Sequence, residues 1–178
     1  MNYYCWRALS LLFTSNFGQR CLNIKFKNRS NTSFVGESFF MQSKVRTIKQ
    51  KVIIPALPQE VYDAYTDPKT VTKYTRSKAT GKAVVGGKYT AYGDSIFGKY
   101  LALENGTRVV QEWNNNDYGY GPVRLELCFN KVPEGTELVM VLSDIPEEQA
   151  DETADGWIEY FWNPLKDYLS KKTKNKTK

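Results

Sequence analysis

Between residues 47 and 170 the period of the apolar positions changes several times. "TIKQKVIIP" is an Ile- and Val-rich run stopped by Pro55, and it predicts a strand. In "LPQEVYDAYTDP" the period becomes helical, with Val61 and Tyr65 on one face, Pro58 in the first turn and Glu60 near the positive end. Pro68 ends that helix, and Asp67 is placed to cap a second, short one through "KTVTKYT". The next 70 or so residues read as strands: "KAVVGGKYTAY", "SIFGKYLALE", "TRVVQEWN", "VRLELCF" and "ELVMVLS". Val109, Gln111 and Trp113 alternate with Val110 and Glu112, the pattern of a sheet covered on one face. Asn105-Gly106 predicts a two-residue hairpin with positive φ at both central positions. Five or six strands joined by such turns form an antiparallel meander.

The last segment, "DIPEEQADETADGWIEYFWNPLKDYL", returns to a helical period through Ala150, Ala154, Trp157, Phe161, Leu165 and Tyr168. Ile158 and Trp162 widen the stripe. Asp144 is a candidate cap, Pro146 suits the first turn, and Glu147, Glu148, Asp151 and Glu152 sit near the positive end. A helix of about 22 residues, roughly 33 Å, crosses a whole sheet. Pro164 removes the helical partner of the Tyr160 carbonyl and predicts a bend. The fold class is therefore α+β, a curved antiparallel sheet wrapped on a long C-terminal helix.

Charge divides the chain into three. Residues 1–46 hold seven Lys or Arg against Glu37 alone, the tail 171–178 holds five Lys, and the net charges run +6, −5 and +5. The folded middle is thus mildly acidic, and no nucleic-acid partner is expected. Residues 1–46 read as a basic extension, disordered or targeting, without an apolar run long enough to span a membrane. The expected compartment is the cytosol, with mitochondrial import through residues 1–46 as the alternative. The chain has no histidine, which removes the usual nucleophile triads and histidine metal ligands. Cys5, Cys21 and Cys128 form no CxxC pair, lack a fourth zinc ligand and favour a reducing compartment. No metal, no cofactor and no catalytic residue is expected. Acids such as Glu112 and Glu126 alternate with apolar neighbours and point outward, so no enzyme activity is expected either.

Taken in order, "YDAYTDPKTVTKYTRS", "GGKYTAYGDSIFGKYLAL", "VVQEWN", "GTEL" and "DGWIEYFWNPLKDYL" resemble the C-terminal domain of the activator of heat-shock protein 90 ATPase family. That domain belongs to the START-like, or polyketide-cyclase-like, helix-grip superfamily. The resemblance covers roughly residues 47–170, and it implies a monomeric co-chaperone that binds heat-shock protein 90 and modulates its ATPase activity. Residues 1–46 are too short to form the family's companion N-terminal domain, so binding is expected more firmly than full stimulation.

Two sets of residues are candidates for function. Lys73 within the second short helix and Arg76, Ser77 and Lys78 just after it form the first, where the planar fork of Arg76 suits a partner's carboxylate. An ion pair within the chain is the competing role for Arg76. Tyr89, Phe97, Tyr100, Trp113, Phe129, Trp157 and Phe161 either line a cavity for a small hydrophobic ligand or fill it. A ligand-binding START-like protein is accordingly the alternative function.

Overall fold

The computed structural model describes residues 44–116 and 120–176, with residue 120 and residues 173–176 by their backbone alone. Most of the basic N-terminal extension therefore lies outside the described residues. Seven strands form a single sheet: β1 (Val45–Ile54), β2 (Thr80–Gly81), β3 (Lys88–Ala91), β4 (Ile96–Glu104), β5 (Arg108–Asn115), β6 (Tyr120–Val132) and β7 (Gly135–Pro146). Their spatial order is β1-β7-β6-β5-β4-β3-β2, and every neighbouring pair is antiparallel. From β2 onward this is the expected meander, and β1 completes it by pairing along β7 from Val45↔Pro146 to Ile54↔Thr136.

Two short helices follow β1. In α1 (Pro58–Thr66), Glu60 reaches back to accept from the Leu57 N–H at 3.3 Å. Asp67 caps α2 (Pro68–Thr75) as its side chain predicts, accepting from Lys69 N at 3.3 Å, Thr70 N at 3.0 Å and the Thr70 hydroxyl at 2.6 Å. Those bonds, the hydroxyl first, hold the Asp67 carboxyl below its ordinary range.

Several local expectations are corrected. The β4–β5 connection has three residues between Glu104 and Arg108, and Gly106 is its one residue with positive φ (70°), so it is no two-residue primed turn. In "KAVVGGKYTAY" only Lys88–Ala91 is strand, and Val84 and Val85 stand exposed before it. Asp144 caps nothing: it lies inside β7 with φ of 65°.

The terminal segment is one continuous helical run with a changing pitch. A 3₁₀ turn (Glu147–Gln149) leads into α3 (Ala150–Gly156), a π-helical stretch (Trp157–Trp162) and α4 (Asn163–Lys176), which carries the helix into the lysine tail. The π stretch explains which side chains are buried. Ala150, Thr153, Trp157 and Phe161 are buried at ordinary spacing; then the stripe restarts one residue later with Trp162, Leu165 and Leu169. One extra residue resets the phase by about 100°, so two seams face the sheet in succession. Ile158 is consequently 45% exposed, and Tyr168 is half-buried where a straight helix would bury it. The carbonyl of Tyr160, deprived of its helical partner by Pro164, accepts a hydrogen bond from the Tyr92 hydroxyl. Gln50 of β1 clasps the rod on both sides of the shift. Its amide donates to the Ala154 carbonyl at 2.7 Å, and its oxygen accepts from Trp162 Nε1 at 2.7 Å.

Leu125, Leu127, Leu138, Met140 and Leu142 of the sheet meet Trp157, Phe161, Leu165 and Leu169 of the helix in one core. Burying side chains of this size contributes on the order of 2 kcal/mol each, before entropy is subtracted.

Candidate functional site

The polar candidates sit where α2 runs into β2. Arg76 terminates α2 in the left-handed conformation, φ 57° and ψ 22°. The loop beyond it is tied back to the helix. Thr72 Oγ1 accepts from Ala79 N at 3.0 Å, Thr75 Oγ1 accepts from Ser77 N at 3.3 Å, and the Lys78 carbonyl accepts from Gly93 N at 2.9 Å. Thr72 and Thr75 also donate to the carbonyls of Pro68 and Val71, both at 2.8 Å, which fixes their rotamers. Lys73, Arg76 and Lys78 are exposed on this frame, whereas Ser77 is half-buried. Among the described residues no ion pair or hydrogen bond engages the Arg76 guanidinium, so the competing intramolecular ion pair does not form there. Ion pairs form at other positions: Arg108 pairs with Glu104 at 2.9 Å and Glu126 at 2.8 Å, and Lys99 pairs with Glu112 at 2.9 Å.

The aromatic candidates separate into three groups. Tyr89, Tyr100 and Trp113 surround a small inner void with Tyr65, Tyr74 and Gln111. Its volume is about 30 Å³, room for one or two waters and for no ligand. Tyr65 donates to Gln111 Oε1 at 2.7 Å within it. Burial raises the hydroxyl pKa of Tyr65, Tyr74, Tyr89 and Tyr100, because the anion would lose its water. Trp113 also forms part of a second group, with Trp157 and Phe161. These three line an open cleft of about 460 Å³ between the long helix and the β3–β5 side of the sheet. Tyr92, Ile96 and Tyr160 complete its apolar wall, and Ser77, Ser95, Asn115 and Glu152 bring polar groups to it. Burial, with Tyr160 close by, pushes the Tyr92 hydroxyl up to about 12.

Phe97 and Phe129 belong to neither space. Phe97 is 38% exposed because β4 turns Ile96, Gly98 and Tyr100 inward, and alternation sends Phe97 to the other face. That alternation is legible in "SIFGKYLAL", and it is enough to assign Phe97 outward. Phe129 does face the core, but it packs edge-on against Tyr62 at 5.7 Å, away from the cleft. The sequence pattern gives no sign of Tyr92 and Tyr160, which come together only because the π stretch carries Tyr160 toward the turn after β3. Among the described residues no three His, Cys, Asp or Glu side chains cluster as a metal site, and no helix is long and apolar enough to cross a membrane.

Comparison with known proteins agrees with this architecture. The profile of the family "Activator of Hsp90 ATPase homolog 1-like protein" matches residues 55–170. The activator of 90 kDa heat shock protein ATPase homolog of Dictyostelium discoideum is 26% identical over 134 residues, 74% of this chain and 35% of its own length. The human activator of 90 kDa heat shock protein ATPase homolog 1 is 27% identical over 110 residues, 61% of this chain and 32% of its own. This chain thus spans about a third of the length of those relatives. Among solved structures, PFC0360w, an HSP90 activator from Plasmodium falciparum, superposes with a TM-score of 0.62 at 24% identity, over 71% of this chain and 96% of that one.

Proposed function

Because this chain belongs to the activator of Hsp90 ATPase homolog 1-like family, we propose that its folded domain is a co-chaperone-like module. It binds the 90 kDa heat-shock protein and modulates that protein's ATPase activity, itself catalysing no reaction. The observation that carries the reading to particular residues is the presentation of Arg76: exposed, uncommitted among the described residues, and followed by a loop whose Ser77 and Ala79 N–H groups donate to the Thr75 and Thr72 hydroxyls of α2. A guanidinium so placed offers a bidentate bond to a carboxylate of the partner without first breaking a pair of its own. Lys73 and Lys78 flank it and raise the local positive potential, which speeds encounter with an acidic surface. Ser77 belongs to this surface and also borders the cleft. The module acts as a monomer in the cytosol in this reading; mitochondrial import through residues 1–46 is the alternative, which a reporter fusion reveals.

Titration calorimetry of the full chain against the 90 kDa heat-shock protein, with a non-hydrolysable ATP analogue, tests the proposal. A micromolar complex and an altered ATPase rate are expected. No complex at high micromolar concentration removes the reading. Arg76→Glu is expected to weaken binding at least about tenfold, the loss of one charge-assisted contact. An unchanged affinity in a folded Arg76→Glu protein removes the Arg76 contact.

A further inference from the structure

The connection from β2 into β3, "KAVVGGK" (82–88), presents two adjacent valines outside the core: Val84 is 43% exposed and Val85 67%. Its backbone is fastened. Lys82 N donates to the Lys88 carbonyl at 3.3 Å, Val84 N to the Lys82 carbonyl at 2.8 Å and Gly87 N to the Val84 carbonyl at 2.8 Å. Two further bonds tie it to β4: Gly86 N donates to the Tyr100 carbonyl at 2.8 Å, and Tyr100 N to the Gly87 carbonyl at 3.0 Å. Gly86 has φ of 80°, and a Cβ at Gly87 would lie 2.2 Å from the Lys82 carbonyl oxygen, so the turn closes in this form only with glycine at both places. Leu101, next in the chain after that attachment, is 39% exposed where the β4–β5 register shifts.

The charge around these side chains is mostly of one sign. Lys88 lies directly opposite Lys99 in the β3–β4 pair, an arrangement that by itself weakens a sheet. Lys99 pairs with Glu112, but Lys78, Lys82 and Lys88 make no ion pair among the described residues. Aliphatic side chains ringed by lysines fit a surface that is acidic and carries aliphatic groups of its own. A second copy of this patch is the wrong complement, since it sets lysine against lysine. Arg76 lies six residues before Lys82, at most about 20 Å of extended chain, so both fit beneath one partner face of standard size, about 800 Å².

We propose that Val84 and Val85, with Leu101 beside them, are the apolar anchor of the interface whose charged part is Arg76, and that they dock on an acidic, aliphatic-bearing face of the 90 kDa heat-shock protein. The inference rests on the co-chaperone reading and deepens it. Exposed charges set the rate of encounter and its salt dependence, whereas apolar groups that lose their water at the centre of an interface set how long the complex lasts. The glycine-closed turn presents the valines already in place, so little chain entropy is lost on docking.

The test mixes the full chain with the 90 kDa heat-shock protein and a non-hydrolysable ATP analogue, at low and at physiological salt, and reads affinity by calorimetry and rates by stopped flow. The double variant Val84→Ser/Val85→Ser is expected to bind at least about tenfold more weakly, through faster dissociation and with its salt dependence unchanged. Lys82→Gln/Lys88→Gln is expected to slow association and flatten the salt dependence. None of these four residues belongs to the core, so melting temperatures close to that of the unmodified chain are expected. If the serine variant does not fold, valine methyl signals in the unmodified chain decide: those of Val84 and Val85 shift when the complex forms. Undiminished affinity of the serine variant, or unshifted Val84 and Val85 methyls in a formed complex, overturns the anchor and leaves the co-chaperone reading standing. No complex with the unmodified chain removes both. Pelleting with phosphatidylserine vesicles, or self-association, that disappears in the serine variant assigns the patch to a membrane or to a second copy and likewise overturns the proposal.

Discussion

Replacing Arg76 by glycine is expected to make the protein more stable and less able to bind its partner. A residue with a Cβ in the left-handed region costs about 1–2 kcal/mol relative to ordinary backbone. Arg76 occupies that region, φ 57° and ψ 22°, at the end of α2. Glycine adopts it without the Cβ clash but loses about 0.5–1 kcal/mol more chain entropy on folding. The exposed arginine side chain makes no ion pair among the described residues, so little else is lost. The difference leaves Arg76→Gly more stable by about 0.5–1 kcal/mol, a rise of roughly 2–5 °C in Tm for a domain of this size. Thermal melts followed by circular dichroism read the stability, and calorimetry against the 90 kDa heat-shock protein reads the binding. Opposite movements of the two mean that strained backbone is retained for a contact. A lower Tm refutes the strain argument, and undiminished binding refutes the role given to the guanidinium.

Gly98 is expected to tolerate no side chain, because a Cβ there would lie 1.8 Å from the Glu112 carbonyl oxygen on the neighbouring strand. Gly98→Ala should therefore cost more than about 3 kcal/mol in a urea titration, or prevent folding, since β4 and β5 have to separate. The buried tyrosines set an alkaline limit. Tyr65, Tyr74, Tyr89, Tyr92 and Tyr100 all have folded-state pKa values raised above the ordinary 10.0, that of Tyr92 to about 12. The folded state then holds protons that the unfolded state releases, so their contribution to stability is whole below pH 10 and is lost as pH rises beyond it. Urea midpoints that begin to fall above pH 10, with tyrosine absorbance at 295 nm rising together with unfolding, are the expected outcome. Tyrosine ionisation without loss of structure would contradict it.

Local patterns in the sequence were sufficient for most of the frame. Alternation in "TRVVQEWN" assigns Val109, Gln111 and Trp113 to the buried face, and they are 0%, 1% and 3% exposed, but Val110 on the opposite face is covered as well, at 1%. Asp67 before a proline defines the start of α2, and the 3–4 spacing of Trp157, Phe161 and Leu165 defines a buried stripe. These are short-range properties: the pleat, the cap and the helical turn each act over a few residues, so a few residues specify them. What the patterns did not contain is the π stretch. Its extra residue buries Trp162 and Leu169, and the Tyr160 carbonyl, which Pro164 leaves without a helical partner, meets Tyr92, a residue 68 positions away. Only packing against the finished sheet, and the clasp of Gln50 from β1, decides where such a phase shift falls. The indole N–H groups of Trp113 and Trp157, buried without a hydrogen-bond partner among the described residues, have the same origin. Whether a buried N–H finds a partner depends on which strand and which turn of helix are brought together, and that is settled by the sum of long-range contacts and not by either residue's neighbours along the chain.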